Sequence, residues 1–213
     1  MELDETLATL LPVFFGWLLG IISTLLIEQI RRWIKLSKIK KIAYHQLTDL
    51  GSKILLSSYL IKQKVGKLTT DDAKSFVEIS KKYYPNMISQ DLIEILEKIL
   101  ISNQDEFKVF LELHKDSKHA LNLKKYSLSL FQHGKESIDL LSPELFANLL
   151  EIDSKLTEIN QEIEYANKSF DLTFSDSLST SKIGEHNLIN SYMFISSLFE
   201  KLHQKILNTK EKI

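Results

Sequence analysis

The side chains able to do acid–base or metal chemistry are few and scattered. The chain has six histidines, at positions 45, 114, 119, 133, 186 and 203, no cysteine, and only two arginines. Two histidines on a helix share a metal when they sit three or four residues apart, on one face. No pair here has that spacing. His114 and His119 are five apart, about 140° around a helix. Without cysteine there is no thiolate nucleophile, disulfide or cysteine-ligated cluster. The sequence has no phosphate-cradling GxxxxGK[ST], no GxGxxG, no HExxH, no GxSxG and no calcium loop. The expectation is a protein without catalytic residues, cofactor or metal, and not an enzyme.

Two local patterns come nearest to a site. Asp116-x-x-His119 and Glu200-x-x-His203 have half the ligand spacing of a helical di-iron centre, which needs two such pairs plus two further inward carboxylates. Phe199 and Leu202 define the core face of the last helix, which sets Glu200 and His203 beside that face. The second pattern is His114-Lys-Asp-Ser-Lys-His119. In spacing it resembles the Arg-x4–6-His motif of the helical HEPN-type ribonucleases, with a histidine where the arginine would stand. What the resemblance implies is a degenerate, non-cleaving HEPN-like pair, His114 and His119. His114 also shares a heptad position with Phe107, Leu121 and Leu128, which predicts a core-facing side chain.

The elements that would position these residues begin with a membrane anchor. From Thr6 to Ile27 no residue is charged. Twenty-two residues at 1.5 Å each make roughly 33 Å of helix, enough for a hydrocarbon core of about 30 Å. Acidic residues precede the run, and Glu28 and two arginines follow it, unlike a cleaved signal peptide with its basic start. Residues 1–28 carry four acidic side chains and no lysine or arginine. Arg31, Arg32, Lys35, Lys38, Lys40 and Lys41 come directly after. The positive-inside rule then predicts an outer N-terminus and a cytoplasmic C-terminal domain in the inner (plasma) membrane.

The overall net charge of −1 hides a division. Residues 29–67 carry a net +9 and residues 68–213 a net −6. The six cations beside the span are predicted to contact anionic lipid headgroups, each contributing about 1 kcal/mol. They lack any recognised nucleic-acid-binding motif, so nucleic acid is not an expected partner. Within the span, Ala8, Pro12, Gly16, Gly20 and Thr24 recur every fourth residue, and Gly16 and Gly20 form a GxxxG. A stripe of small residues lets two helix backbones approach closely, so this face is predicted to self-associate.

Beyond the span the periodicity is helical throughout. Ile39, Ala43, Leu47, Leu50, Ile54, Ile61 and Val65 continue the first helix to Gly66. Cap candidates at 69–72 open a second helix that ends at the Tyr83–Asn86 turn. Ser89 opens a third, with Leu92, Ile95, Leu96, Ile99 and Leu100 as its apolar set. A fourth is predicted from Asn103 to about Gln132. Ser142 and Pro143 start a fifth, whose seam Leu145, Leu149, Ile152, Leu156, Ile159, Ile163, Ala166 and Phe170 alternates steps of four and three. Leu188, Tyr192, Ile195, Phe199, Leu202 and Ile206 repeat the pattern in a sixth. The Ser/Thr-rich stretch 171–184 between them reads as a flexible loop.

The predicted fold is therefore all-α: one N-terminal transmembrane helix continuing into a cytoplasmic helical bundle of about five further helices. Its regions are 1–28 (outer tail and anchor), 29–67 (basic juxtamembrane helix) and 68–213 (acidic bundle). The expected function is a self-associating, membrane-anchored adaptor or scaffold, whose partners are the lipid bilayer, further copies of itself and a cytoplasmic protein. The alternative is an oligomeric pore or membrane-perturbing effector. It would resemble the single-pass accessories of bacterial antiphage, CRISPR-associated systems that carry a HEPN-like bundle.

Overall fold

The computed structural model describes residues 2–101, 104–114, 121, 123–133, 138–174 and 177–213. Most of these residues are helical, with no strand among them. The helices are α1 (Glu2–Lys64), α2 (Thr70–Tyr83), α3 (Gln90–Ile101), α4 (Gln104–His114), the single turn α5 (Leu130–His133), α6 (Pro143–Leu172) and α7 (Leu178–Lys210).

The breaks are written in local chemistry. α1 ends where Gly66 takes φ 68°, a left-handed conformation that costs glycine nothing. The amide of Lys67 then reaches back to the Lys62 carbonyl (2.8 Å) and that of Gly66 to Gln63 (3.1 Å), which satisfies the last carbonyls of the helix. Thr69 caps α2 in a reciprocal box with Asp72. Ser142 caps α6, and Pro143 occupies its first turn, where a missing N–H removes no helical bond.

The two seam-bearing helices pack antiparallel. Glu144 at the start of α6 meets Lys212 after the end of α7 (2.6 Å), and Glu151 meets Lys205 (2.5 Å). At the far end, a Cβ on Gly184 would lie 2.9 Å from the backbone of Leu172. α1 runs antiparallel along the other side of α7: Lys40 Nζ donates to the Ile213 carbonyl (3.3 Å), and Ser58 and Ser196 share a buried hydrogen bond (3.0 Å). The core stripe of α1 and both seams form one hydrophobic core. A second core joins α2, α3 and α4 to the outer side of α1 through Tyr59, Phe76, Tyr84, Ile93, Leu96 and Phe107. In α3 it is Ile93 that turns fully inward, while Ile95 is about half exposed.

Three expectations need correction. The predicted fourth helix does not reach Gln132: α4 ends at His114, and residues 123–128 carry no helix. This segment fills the groove between α1 and α6, held by side-chain amides. Asn160 of α6 pairs with both main-chain groups of Tyr126, accepting from its N–H (2.8 Å) and donating to its carbonyl (2.7 Å). Gln46 of α1 accepts from the Leu130 N–H (3.0 Å) and donates to Ser129 (2.6 Å). These tertiary bonds replace helical ones, and Leu123, Leu128 and Leu130 still reach the core. The heptad that would align His114 with Leu121 and Leu128 is broken with the helix. The third correction concerns the loop 171–184. α6 continues to Leu172 and α7 starts at Leu178. The serines and threonines act locally: Thr173 Oγ1 donates to the Phe170 carbonyl (2.7 Å) and Ser181 Oγ to that of Thr173 (2.8 Å).

Candidate functional site

α1 is one unbroken helix of 63 residues, about 95 Å long. Its first part is apolar enough to cross a membrane, and none of the qualifying apolar window is buried against the rest of the chain. A core helix of the same hydropathy would be covered; this one exposes Phe14, Phe15, Trp17, Leu19 and Leu25, among others. Pro12, Gly16, Gly20 and Thr24 are exposed on it. A Cβ added at Gly16 or Gly20 would meet nothing within 4 Å. Thr24 Oγ1 donates to the Gly20 carbonyl (2.9 Å), so its hydroxyl is satisfied within the helix. Nothing is described of the Ala8 side chain.

Between the apolar stretch and the first fully buried core residue, Ile39, residues 28–38 form a largely exposed stalk, roughly 16 Å long, in which only Leu36 is partly buried against the core. Arg31, Lys35 and Lys38 fall on one stripe of it, and all three are exposed, as are Arg32 and Lys41. Trp33 is exposed among them. Lys40 differs from the other five cations. It is half-buried and bound to the carbonyl of Ile213, which packs against the core. The fold thus brings Ile213 onto the basic run and engages one of its six cations.

His114 closes α4, but its side chain and the whole of His119 lie outside the described residues. The pair singled out by the HEPN resemblance is therefore not placed. The histidine of consequence is His203. It is buried, and its Nε2 shares a hydrogen bond of 2.9 Å with the hydroxyl of fully buried Tyr84. Burial, helped by the nearby charge of Lys210, pushes the imidazole down to about 4, so it is neutral at ordinary pH. Burial raises the Tyr84 phenol well above its usual value. Lys210 Nζ lies over the rings of Tyr44 (4.9 Å) and Tyr84 (5.2 Å), a cation–π arrangement. Gly51 makes room for this cluster: a Cβ there would fall 2.2 Å from the Tyr84 hydroxyl. The cluster ties the α2–α3 turn to α7 and α1.

A second cross-link stands nearby. Lys62 of α1 bonds Asp72 of α2 (2.6 Å) and Glu200 of α7 (2.5 Å). Burial opposes the lysine's charge, but the two carboxylates outweigh it and raise its pKa. Asp72 is held below the usual carboxylate range despite its own burial, by bonds from Lys62 and from the Thr69 cap. No group of three or more potential metal ligands occurs among the described residues. Sequence reasoning marked His203 only through Glu-x-x-His. It had no signal for Tyr84, because the contact spans 119 positions.

Compared with known protein families, curated proteins and solved structures, the chain matches none.

Proposed function

We propose that this protein is a non-enzymatic, self-associating adaptor held in the inner (plasma) membrane by α1, with its helical bundle in the cytoplasm binding a protein partner. The observation that carries the reading is the continuity of α1. One helix offers an apolar surface that none of the described residues covers, then buries a single stripe of the same helix in the domain core. Lipid is the natural cover for the first part. The acidic start and basic stalk orient the span by the positive-inside rule. The uncovered Gly16 and Gly20 supply a close-packing face for a second copy. The exposed Arg31, Arg32, Lys35, Lys38 and Lys41 meet anionic headgroups at the stalk.

The test is extraction and mass. The native protein should resist carbonate and high salt and enter mild detergent as an oligomer. Gly16→Ile with Gly20→Ile should lower the assembly mass without unfolding the domain. Release by carbonate alone would remove the anchor, and an unchanged mass would remove the small-residue interface. A dimer fits the adaptor, whereas a closed ring of six or more subunits would favour a pore.

A further inference from the structure

A cleft of about 290 Å³ opens where α1, α2 and α7 meet. Ile54, Phe76 and Phe199 are buried behind its floor, and the partly exposed Leu55 and Ile79 give it an apolar surface that a ligand can reach. Its charged groups are Lys62, Asp72 and Glu200. They sum to one negative charge, and the hydrogen bonds show where it resides. Lys62 is shared between one oxygen of Asp72 and Oε1 of Glu200. The other oxygen of Asp72 accepts from the N–H (3.0 Å) and hydroxyl (2.7 Å) of Thr69. Oε2 of Glu200 has no partner among the described residues, and the side chain is about half exposed. His203, also on the wall, is engaged by Tyr84 and adds no positive charge. An anion entering the cleft would find its one lysine already paired twice. A cation finds a carboxylate oxygen unused.

The space also sets a size. A dry cavity of about 150 Å³ holds a benzene ring. The present volume therefore takes one ring with a short chain. A buried hydroxyl without a partner, that of Tyr59, stands in the same wall, its ring 4.5 Å from that of Phe76. Polar and apolar groups contribute comparable surface to the lining, which suits a small ligand that carries both kinds of group.

We propose that this cleft binds a small amphipathic amine, its ammonium on the free oxygen of Glu200 and its apolar body against the partly exposed Leu55 and Ile79. The assignment does not depend on the membrane reading.

The experiment uses the full chain in mild detergent and follows thermal unfolding with phenethylamine as probe. Its neutral and anionic counterparts, 2-phenylethanol and 3-phenylpropionate, serve as comparisons. Phenethylamine should give a saturable rise of about 3–5 °C at roughly ten times its dissociation constant, and neither counterpart should. Glu200→Gln should abolish the rise. Ser75→Trp should do the same by covering the mouth from an exposed position that the fold does not need. An equal rise with the alcohol or the acid, a rise that survives Ser75→Trp, or no saturable rise at millimolar phenethylamine would overturn the site.

Discussion

The two parts of α1 use the same backbone for opposite ends. In residues 12–38 almost every side chain is exposed, and the apolar ones surround the axis. In residues 39–64 the stripe Ile39, Ala43, Leu47, Leu50, Ile54 and Ile61 is buried. Even the glycines differ. Gly16 and Gly20 have open space where a Cβ would go, while Gly51 is pressed against Tyr84 and Ile206. The lesson is that helix formation says little about stability. What differs is the cover: the distal part buries a stripe within the chain, and the first part is not buried against any described residue.

Substitutions can break this comparison, and the largest effect is expected at the core. Leu47→Ala removes a side chain with no exposed surface and should cost about 2–5 kcal/mol in chemical unfolding. Leu25→Ala, at a position 60% exposed, should leave the domain's unfolding curve within about 0.5 kcal/mol. Equal effects would mean that the first part of α1 is covered by the same chain after all.

The next effect is a pH dependence. An unfolded histidine titrates near 6.5, whereas folded His203 is pushed down to about 4. Between these values the unfolded chain binds a proton that the folded one refuses. Stability from this group is therefore full above pH 6.5 and lost as pH falls towards 4, by about 3 kcal/mol. His203→Gln should flatten that part of a stability–pH profile, and a profile of unchanged slope would refute the assignment to His203.

Gly51→Ala sharpens the contrast between the glycines. Tyr84 must move or lose its bond to His203, so a loss of about 1–3 kcal/mol is expected. Gly16→Ala and Gly20→Ala should not shift the domain's transition. The smallest effect belongs to the stalk. Lys35→Gln should weaken binding of the full chain's stalk to anionic over zwitterionic vesicles by about 1 kcal/mol without altering stability. If Lys40→Gln weakens it equally, the contact of Lys40 with Ile213 does not withhold that charge from lipid.

Much of the architecture was legible because it is periodic and local. The seam residues from Leu145 to Ala166, and from Leu188 to Ile206, are all buried. A helix turns by a constant angle per residue, so spacing alone reveals its covered face. The caps at Thr69 and Ser142 were legible for the same local reason. Residues 123–128 were not. Their leucines keep an apolar pattern that a helix would also satisfy. The decision lay with Asn160 and Gln46, which capture main-chain groups more than thirty positions away. The candidate site was less legible still. The apolar stretch, the basic stalk and the small-residue stripe could be read from the order of residues. The cleft requires Lys62, Asp72 and Glu200 to converge from three helices.

By itself, then, the sequence determined that this chain is helical, where most helices begin, which faces they bury, and that its first helix offers an apolar surface long enough to cross a membrane. These follow from rotation per residue, capping chemistry and hydropathy, all properties of neighbours in the chain. Only the tertiary structure decided that α4 stops early, that Lys40 turns to Ile213, that Gly51 faces Tyr84 and His203, and that three helices leave a cleft with a carboxylate oxygen unpaired among the described residues. Those outcomes depend on which distant groups compete for one hydrogen bond or one volume, and no local pattern records that competition.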